Sequence, residues 1–193
     1  MLFRASILST LTVLAIVNVS HTGLYITEAT TDATIMNSVL KTCKACPRSE
    51  CSLCSHGYDD TLVISSNPKA NPKLRSTLRA LIDFKLPDVP VNEIEACYLE
   101  FPDFTRQRNS PIELKFAYTG SNDWDEGTVN GRNAPDITIT FKWTEACTMG
   151  EIDGEFSIFI EAVDGIGKIP SRNSGEPALL HVMTSEIDYE FHN

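Results

Sequence analysis

Basic residues are scarce in this chain. Sixteen lysines and arginines stand against 26 aspartates and glutamates, a formal charge of −10. That balance excludes nucleic acid and anionic membrane surfaces as general partners. Histidine is rarer still: there are four, and none stands in a recognisable nucleophile–base arrangement. The sequence has no G-x-S-x-G elbow and no H-E-x-x-H helix, and choosing a glycosidase pair among 26 carboxylates would be arbitrary. The chain therefore reads as a non-enzyme. After the opening residues no segment is apolar enough to insert into a membrane. No N-glycosylation triplet follows Ser20, because Asn109-Ser110 runs into Pro111. Internal repeats, low-complexity blocks and convincing amphipathic helices are absent as well.

What is present begins with an export signal. Arg4 supplies a short positive region, and Ile7 to Val19 form an apolar stretch broken only by Ser9, Thr10, Thr12 and Asn18. That length suits a secretory signal peptide over residues 1–23 and predicts a secreted, extracellular protein. Export decides how the cysteines are read. The stretch CKACPRSECSLC places Cys43, Cys46, Cys51 and Cys54 in a C-x2-C-x4-C-x2-C pattern, and Cys97 and Cys147 complete an even six. Two such knuckles would suit zinc in a cytosolic protein. In an oxidising compartment the expectation is disulfides, with Cys97 joined to Cys147 and the connectivity inside the cluster open.

From Thr61 the hydrophobic pattern takes period two. Leu78, Ala80, Ile82, Phe84 and Leu86 fall on one face, followed by Cys97, Leu99 and Phe101. Ile112, Leu114, Phe116 and Tyr118 repeat the pattern, as do Ile137, Ile139, Phe141 and Trp143. Phe156, Ile158 and Ile160, then Ala178, Leu180 and Val182, continue it. Clusters of Gly, Pro, Asn and Asp separate these runs. The pattern predicts an all-β fold, a sandwich or barrel over residues 58–185. Ahead of it, residues 24–57 read as a disulfide-rich N-terminal extension whose Thr- and Ala-rich part, 24–42, is a loose lead-in or a single peripheral element. Residues 186–193 are a C-terminal tail. Trp143, at an inward position, reads as core.

The same runs carry a family resemblance. STLRALIDFKLPDVPVNEIEACYLEF resembles the hallmark of DNRLRE-type domains through Leu78, Arg79, Leu81, Asp83, Leu86, Pro87, Ile94, Ala96 and Leu99. SNDWDEGTVNGRNAP resembles a later element through Trp124, Glu126, Val129, Asn133 and Pro135, and IPSRNSGEPALLHV a closing one through Ser171, Arg172, Pro177 and Leu179. The resemblance implies a jelly-roll-like antiparallel β-sandwich similar to carbohydrate-binding module family 96. It also implies a non-catalytic role in binding a polysaccharide or cell-wall glycan. One departure matters: Gly131 stands where the family often has a second tryptophan.

Sugar binding calls for aromatic rings on pyranose faces, and acidic sugars add a demand for arginine or lysine. The strongest basic concentration is NPKANPKLRSTLRALIDFK, with Lys69, Lys73, Arg75, Arg79 and Lys85 against Asp83 alone. It reads either as a polyanion site or as a solvated loop and strand face. Arg79 has a structural alternative, pairing with Asp83 or Glu126. Candidate ligand-binding residues are thus Lys69, Lys73, Arg75, Arg79, Trp124 and Arg172. Trp124 lies in a polar loop, which favours exposure, but the resemblance makes it a recurring structural element, so packing as a loop anchor is the first expectation. No cofactor is expected; calcium on Asn122, Asp123, Asp125 and Glu126 is the one candidate, against ordinary solvation of an acidic loop. The other functional class is a secreted structural or interaction protein on the same fold without glycan binding.

Overall fold

The computed structural model describes residues 22–185, except 43, 45, 48, 91–92, 107–111, 120 and 141–153. Its described residues form ten strands: β1 Thr22–Ser38, β2 Thr61–Ser66, β3 Ser76–Lys85, β4 Ile94–Glu100, β5 Thr105–Arg106, β6 Leu114–Thr119, β7 Ile137–Thr140, β8 Glu155–Ala162, β9 Gly165–Pro170 and β10 Leu179–Ser185. All the strand pairs are antiparallel. The all-β expectation holds, and no α-helix occurs among the described residues.

The segment expected as a loose lead-in or a single peripheral element is one strand, the longest among the described residues, and it is central, between β10 and β3. Residues 22–38 hold five threonines and two isoleucines, whose branched Cβ suits extended backbone. β1 pairs with β10 from Thr22 to Glu28, then with β3 from Ala29 to Ser38, with a register shift between Ala29 and Thr31. A bulge of this kind bends a strand and lets it serve two partners. Pairing at Thr22 and Gly23 also means that the strand begins inside the segment assigned above to the signal peptide.

On one side of β1 lies the ladder β4-β10-β1; on the other, β1-β3-β8-β6-β7. β2 meets β3 only at Ser65–Leu78 and otherwise pairs with β9, which pairs with β5. Side chains from both ladders meet in one core that includes Ile82, Phe84, Ile158, Ile160, Leu180 and Val182. Cys97, Leu99, Ile112, Leu114, Phe116 and Tyr118 pack against it, as their alternation predicts. Ile137 departs from its expected inward position, being exposed; Phe141 and Trp143 lie outside the described residues.

The other face of β3 and β8, outward by the period-two pattern, is covered too. Residues 121–135 lay Trp124, Val129 and Ala134 over Ala33, Ile35, Leu81, Ala117 and Phe159. Three cross-strand pairs line this second layer: Arg79–Glu161, Leu81–Phe159 and Asp83–Ser157. Ser157 Oγ donates to Asp83 Oδ1 at 2.8 Å and accepts from Trp124 Nε1 at 2.9 Å. Burial, with help from the nearby Glu155 carboxylate, raises the Asp83 pKa to about 6 despite the Ser157 hydrogen bond. A carboxyl group that holds its proton more tightly folded than unfolded stabilises the fold below pH 4. That contribution is lost as pH rises through about 6. Urea unfolding should therefore favour Asp83→Asn over the parent by roughly 2–3 kcal/mol more at pH 7 than at pH 4. An equal difference at both pH values would contradict this account.

Candidate functional site

β10 leaves β1 at Glu28, so among the described residues the next part of β1 has one edge without a strand partner. Such an edge carries backbone N–H groups that must be met. Glu126 Oε1 accepts from Asp32 N at 3.4 Å, and the His56 carbonyl accepts from Thr34 N at 3.4 Å. Glu126 is itself buried, and Arg172 closes on it with Nε donating to Oε1 at 3.0 Å and Nη2 to Oε2. Ser171 Oγ and Arg172 N each donate to the Asp32 carboxylate at 2.7 Å. Burial pushes the Asp32 pKa up, while the Glu126 hydrogen bond holds Arg172 more firmly protonated. The chain is packed tightly here: a Cβ on Gly57 would overlap the Glu126 carbonyl.

Beyond this edge β1 ends in a groove of about 550 Å³, walled by Asn37, Ser38, Val39, Ser52, Pro72, Arg75, Thr77 and Gly131. Four pieces of chain build it. β1 and β3 bring Asn37 opposite Thr77 and Ser38 opposite Ser76, whose hydroxyls lie 2.7 Å apart. The loop 67–75 is held by Asn71 Oδ1, which accepts from Lys73 N at 3.0 Å, and by Arg75 Nη2, which donates to the Pro68 carbonyl at 2.9 Å. The cysteine segment contributes Ser52 and is stapled by the Cys46–Cys54 disulfide. The fourth piece is the turn at Gly131, tied to the cysteine segment by the Arg132–Glu50 ion pair. A Cβ at Gly131 would overlap the Met36 carbonyl oxygen, so the glycine is needed for this close approach. No tryptophan fits there on this backbone.

The predicted basic cluster divides. Lys69, Lys73 and Arg75 are exposed on the loop beside the groove. Lys85 lies at the far end of β3, about 30 Å away along the strand. Arg79 points into the layer beneath residues 121–135. Its Nη1 pairs with Glu161 Oε1 at 3.1 Å, not with Asp83 or Glu126, and its guanidinium sits 4.4 Å from the Phe159 ring centre. Its Nη2 reaches the Asn37 side-chain oxygen at 2.6 Å when that amide donates to the Gly131 carbonyl, the orientation that satisfies both. Arg79 thus braces a groove wall from behind. Trp124 packs against the second core layer and Arg172 guards the β1 edge, both away from the groove. Glu126 is committed to Arg172, and no three carboxylate, histidine or cysteine side chains converge for a metal among the described residues. Cys97 is disulfide-bonded; Cys43 and Cys147 lie outside the described residues.

Residues 51–151, just over half of the chain, match the family of carbohydrate-binding module family 96. The chain belongs to carbohydrate-binding module family 96. An uncharacterized secreted protein of Arthroderma benhamiae is 37% identical over 164 residues, covering 78% of this chain and 80% of the relative. Secretion, expected from the opening residues, is shared with that relative. No helix among the described residues is long and apolar enough to cross a membrane.

The family 96 segment includes Ser52, the loop 67–75 and Gly131, but not Asn37–Val39. Sequence reasoning found Arg75 through its local charge. It missed Asn37, Ser38, Ser52 and Thr77, which are ordinary polar residues until pairing brings them together. Removing Arg172 would leave the buried Glu126 unpaired beside Asp32. Arg172→Ala is thus expected to lower the unfolding free energy by about 2 kcal/mol, less than for a fully buried pair because Arg172 keeps one flank in water. A cycle with Glu126→Ala, followed by chemical denaturation, should show the two changes to be strongly non-additive.

Proposed function

We propose that this protein is a secreted, non-catalytic β-sandwich module that holds a polysaccharide bearing acidic sugars in the groove beside Arg75. The observation that carries the reading is the position of Arg75. Its guanidinium lines an open groove of about 550 Å³, within the usual range for ligand sites, in a chain of a carbohydrate-binding family. Lys69 and Lys73 are exposed on the same loop, and no acidic residue occurs between Thr61 and Ile82. A guanidinium fork suits a uronate carboxylate, and the two lysines add charge without demanding one geometry. The hydroxyls of Ser38, Ser52 and Thr77 and the Asn37 amide offer partners for sugar hydroxyls. Val39 and Pro72 offer apolar surface for the C–H faces of a ring. A module of family 96 needs no catalytic group for this, since the ligand leaves unchanged.

Depletion of the full secreted chain by alginate and pectate gels, at low and high salt, tests the reading. Binding should weaken as salt rises. Arg75→Ala combined with Lys73→Ala should weaken it roughly tenfold at low salt, two charge-assisted contacts being lost. Equal depletion by parent and double variant, or none by either, would overturn the groove assignment. A structural or interaction protein on the same fold would then be the better account.

A further inference from the structure

The ladder β4-β10-β1 covers the core with one face and turns the other to solvent. Its register aligns side chains in rows on that outer face. Ile26, His181 and Tyr98 form one row, and Leu24 and Met183 lie in the next. Leu24, Ile26, Tyr98 and Met183 are all exposed, a density of apolar side chains that calls for a partner.

Tyr98 does not stand up from this surface. Its ring lies flat on His181, with ring centres 4.3 Å apart and planes inclined by only 13°. His181 beneath it has a side chain only 8% exposed and is fixed through Nε2 to Glu100 Oε2 at 2.8 Å. Tyr98 remains 43% exposed, so the ring face turned away from His181 is the one left to solvent. The His181 Nδ1 atom is buried without a hydrogen-bond partner among the described residues, an unmet bond directly under this ring. The third row of the face ends in Glu28 on β1 and Glu100 on β4, both exposed.

We propose that this face is a second glycan subsite, distinct from the groove, at which Tyr98 stacks on a pyranose ring of a neutral polysaccharide. A rigid, flat aromatic ring is what the apolar C–H face of a sugar requires, and the His181 stack holds it in place before binding. The neutral class follows from charge. Glu28 and Glu100 accept hydrogen bonds from hydroxyls but repel carboxylates, and the rows described above contain no lysine or arginine. The same charges argue against a second copy of the chain, since a self-complementary contact would gather carboxylates with no cation between them. Both β1 and β10 lie outside the family 96 segment, so two of the three strands of this surface belong to this chain's own flanks.

The inference extends glycan binding but does not depend on the groove, and the two fail separately. The full secreted chain would be run in native gels containing laminarin or hydroxyethyl cellulose, with alginate gels reporting on the groove. Retardation is expected in at least one neutral gel, unchanged at high salt. Tyr98→Ala should weaken it roughly tenfold, Tyr98→Phe should preserve it, and Arg75→Ala should leave it intact. Ile26→Gln, at an exposed position beside the ring, should weaken it without unfolding the chain, which covers a failure of Tyr98→Ala to fold. No retardation in either neutral gel, or parental retardation of Tyr98→Ala and Ile26→Gln, would overturn the proposal. So would a dimer in sedimentation that Ile26→Gln converts to monomer, because the face would then belong to a second copy.

Discussion

Strand β1 exchanges one partner for another at a bulge, and the free edge created there constrains much of what surrounds it. The backbone groups of Asp32 and Thr34 cannot be left dry. They are met by Glu126 and by the His56 carbonyl, which brings residues 55–58 and 121–135 against the same strand. A buried Glu126 then requires a cation, and Arg172 supplies it from the turn after β9. The Asp32 carboxylate, buried on the same strand, is answered by Ser171 and the Arg172 amide. One edge thus accounts for four side chains, the carboxylates of Asp32 and Glu126, the Arg172 guanidinium and the Ser171 hydroxyl, that would otherwise look like a reaction centre. Their bonds are all used internally, which is why they read as architecture.

A consequence is that residues 121–135 are drawn across the outer face of β3 and β8. The face becomes a second core layer rather than a wet surface, and its polar members must pair across strands. Arg79 finds Glu161, while Asp83 finds Ser157 and retains a raised pKa because hydrogen bonding only partly offsets its loss of water. The same covering loop places Gly131 against the end of β1 and so opens the groove. Groove and cover are therefore one construction: a side chain at Gly131 would close the first by displacing the second.

The two proposed glycan surfaces sit toward opposite ends of β1, Ser38 at the groove and Ile26 beside Tyr98, at most about 40 Å apart along the strand. They differ in chemistry as well as in place. One offers a guanidinium and two ammonium groups with hydroxyls around them; the other offers a flat ring flanked by carboxylates. A family 96 module carrying both would tolerate a mixed wall in which acidic and neutral chains lie together. Neither surface needs the protein to move, since the disulfide, the Asn71 cap and the His181 stack hold their walls in place.

Sequence alone determined the all-β class and most of the first core, because period-two burial is a local property of the chain. Ile82, Phe84, Leu180 and Val182 were legible for that reason, and so was the charge of Arg75; the Cys46–Cys54 link was not, because connectivity within a cluster carries no local signal. The Thr-rich start was misjudged because a strand's place in a sheet depends on partners far away, here β10 and β3. The layer under Trp124 was hidden because Leu81 and Asp83 alternate as outward residues until a loop some forty positions later covers them. Asn37, Ser38, Ser52 and Thr77 carry no local signal at all. Nor does the flatness of Tyr98, which exists only because β10 sets His181 beside it. Periodicity is written in neighbours along the chain, whereas edges, covers and stacked rings are written in neighbours across it, and only the tertiary structure supplies those.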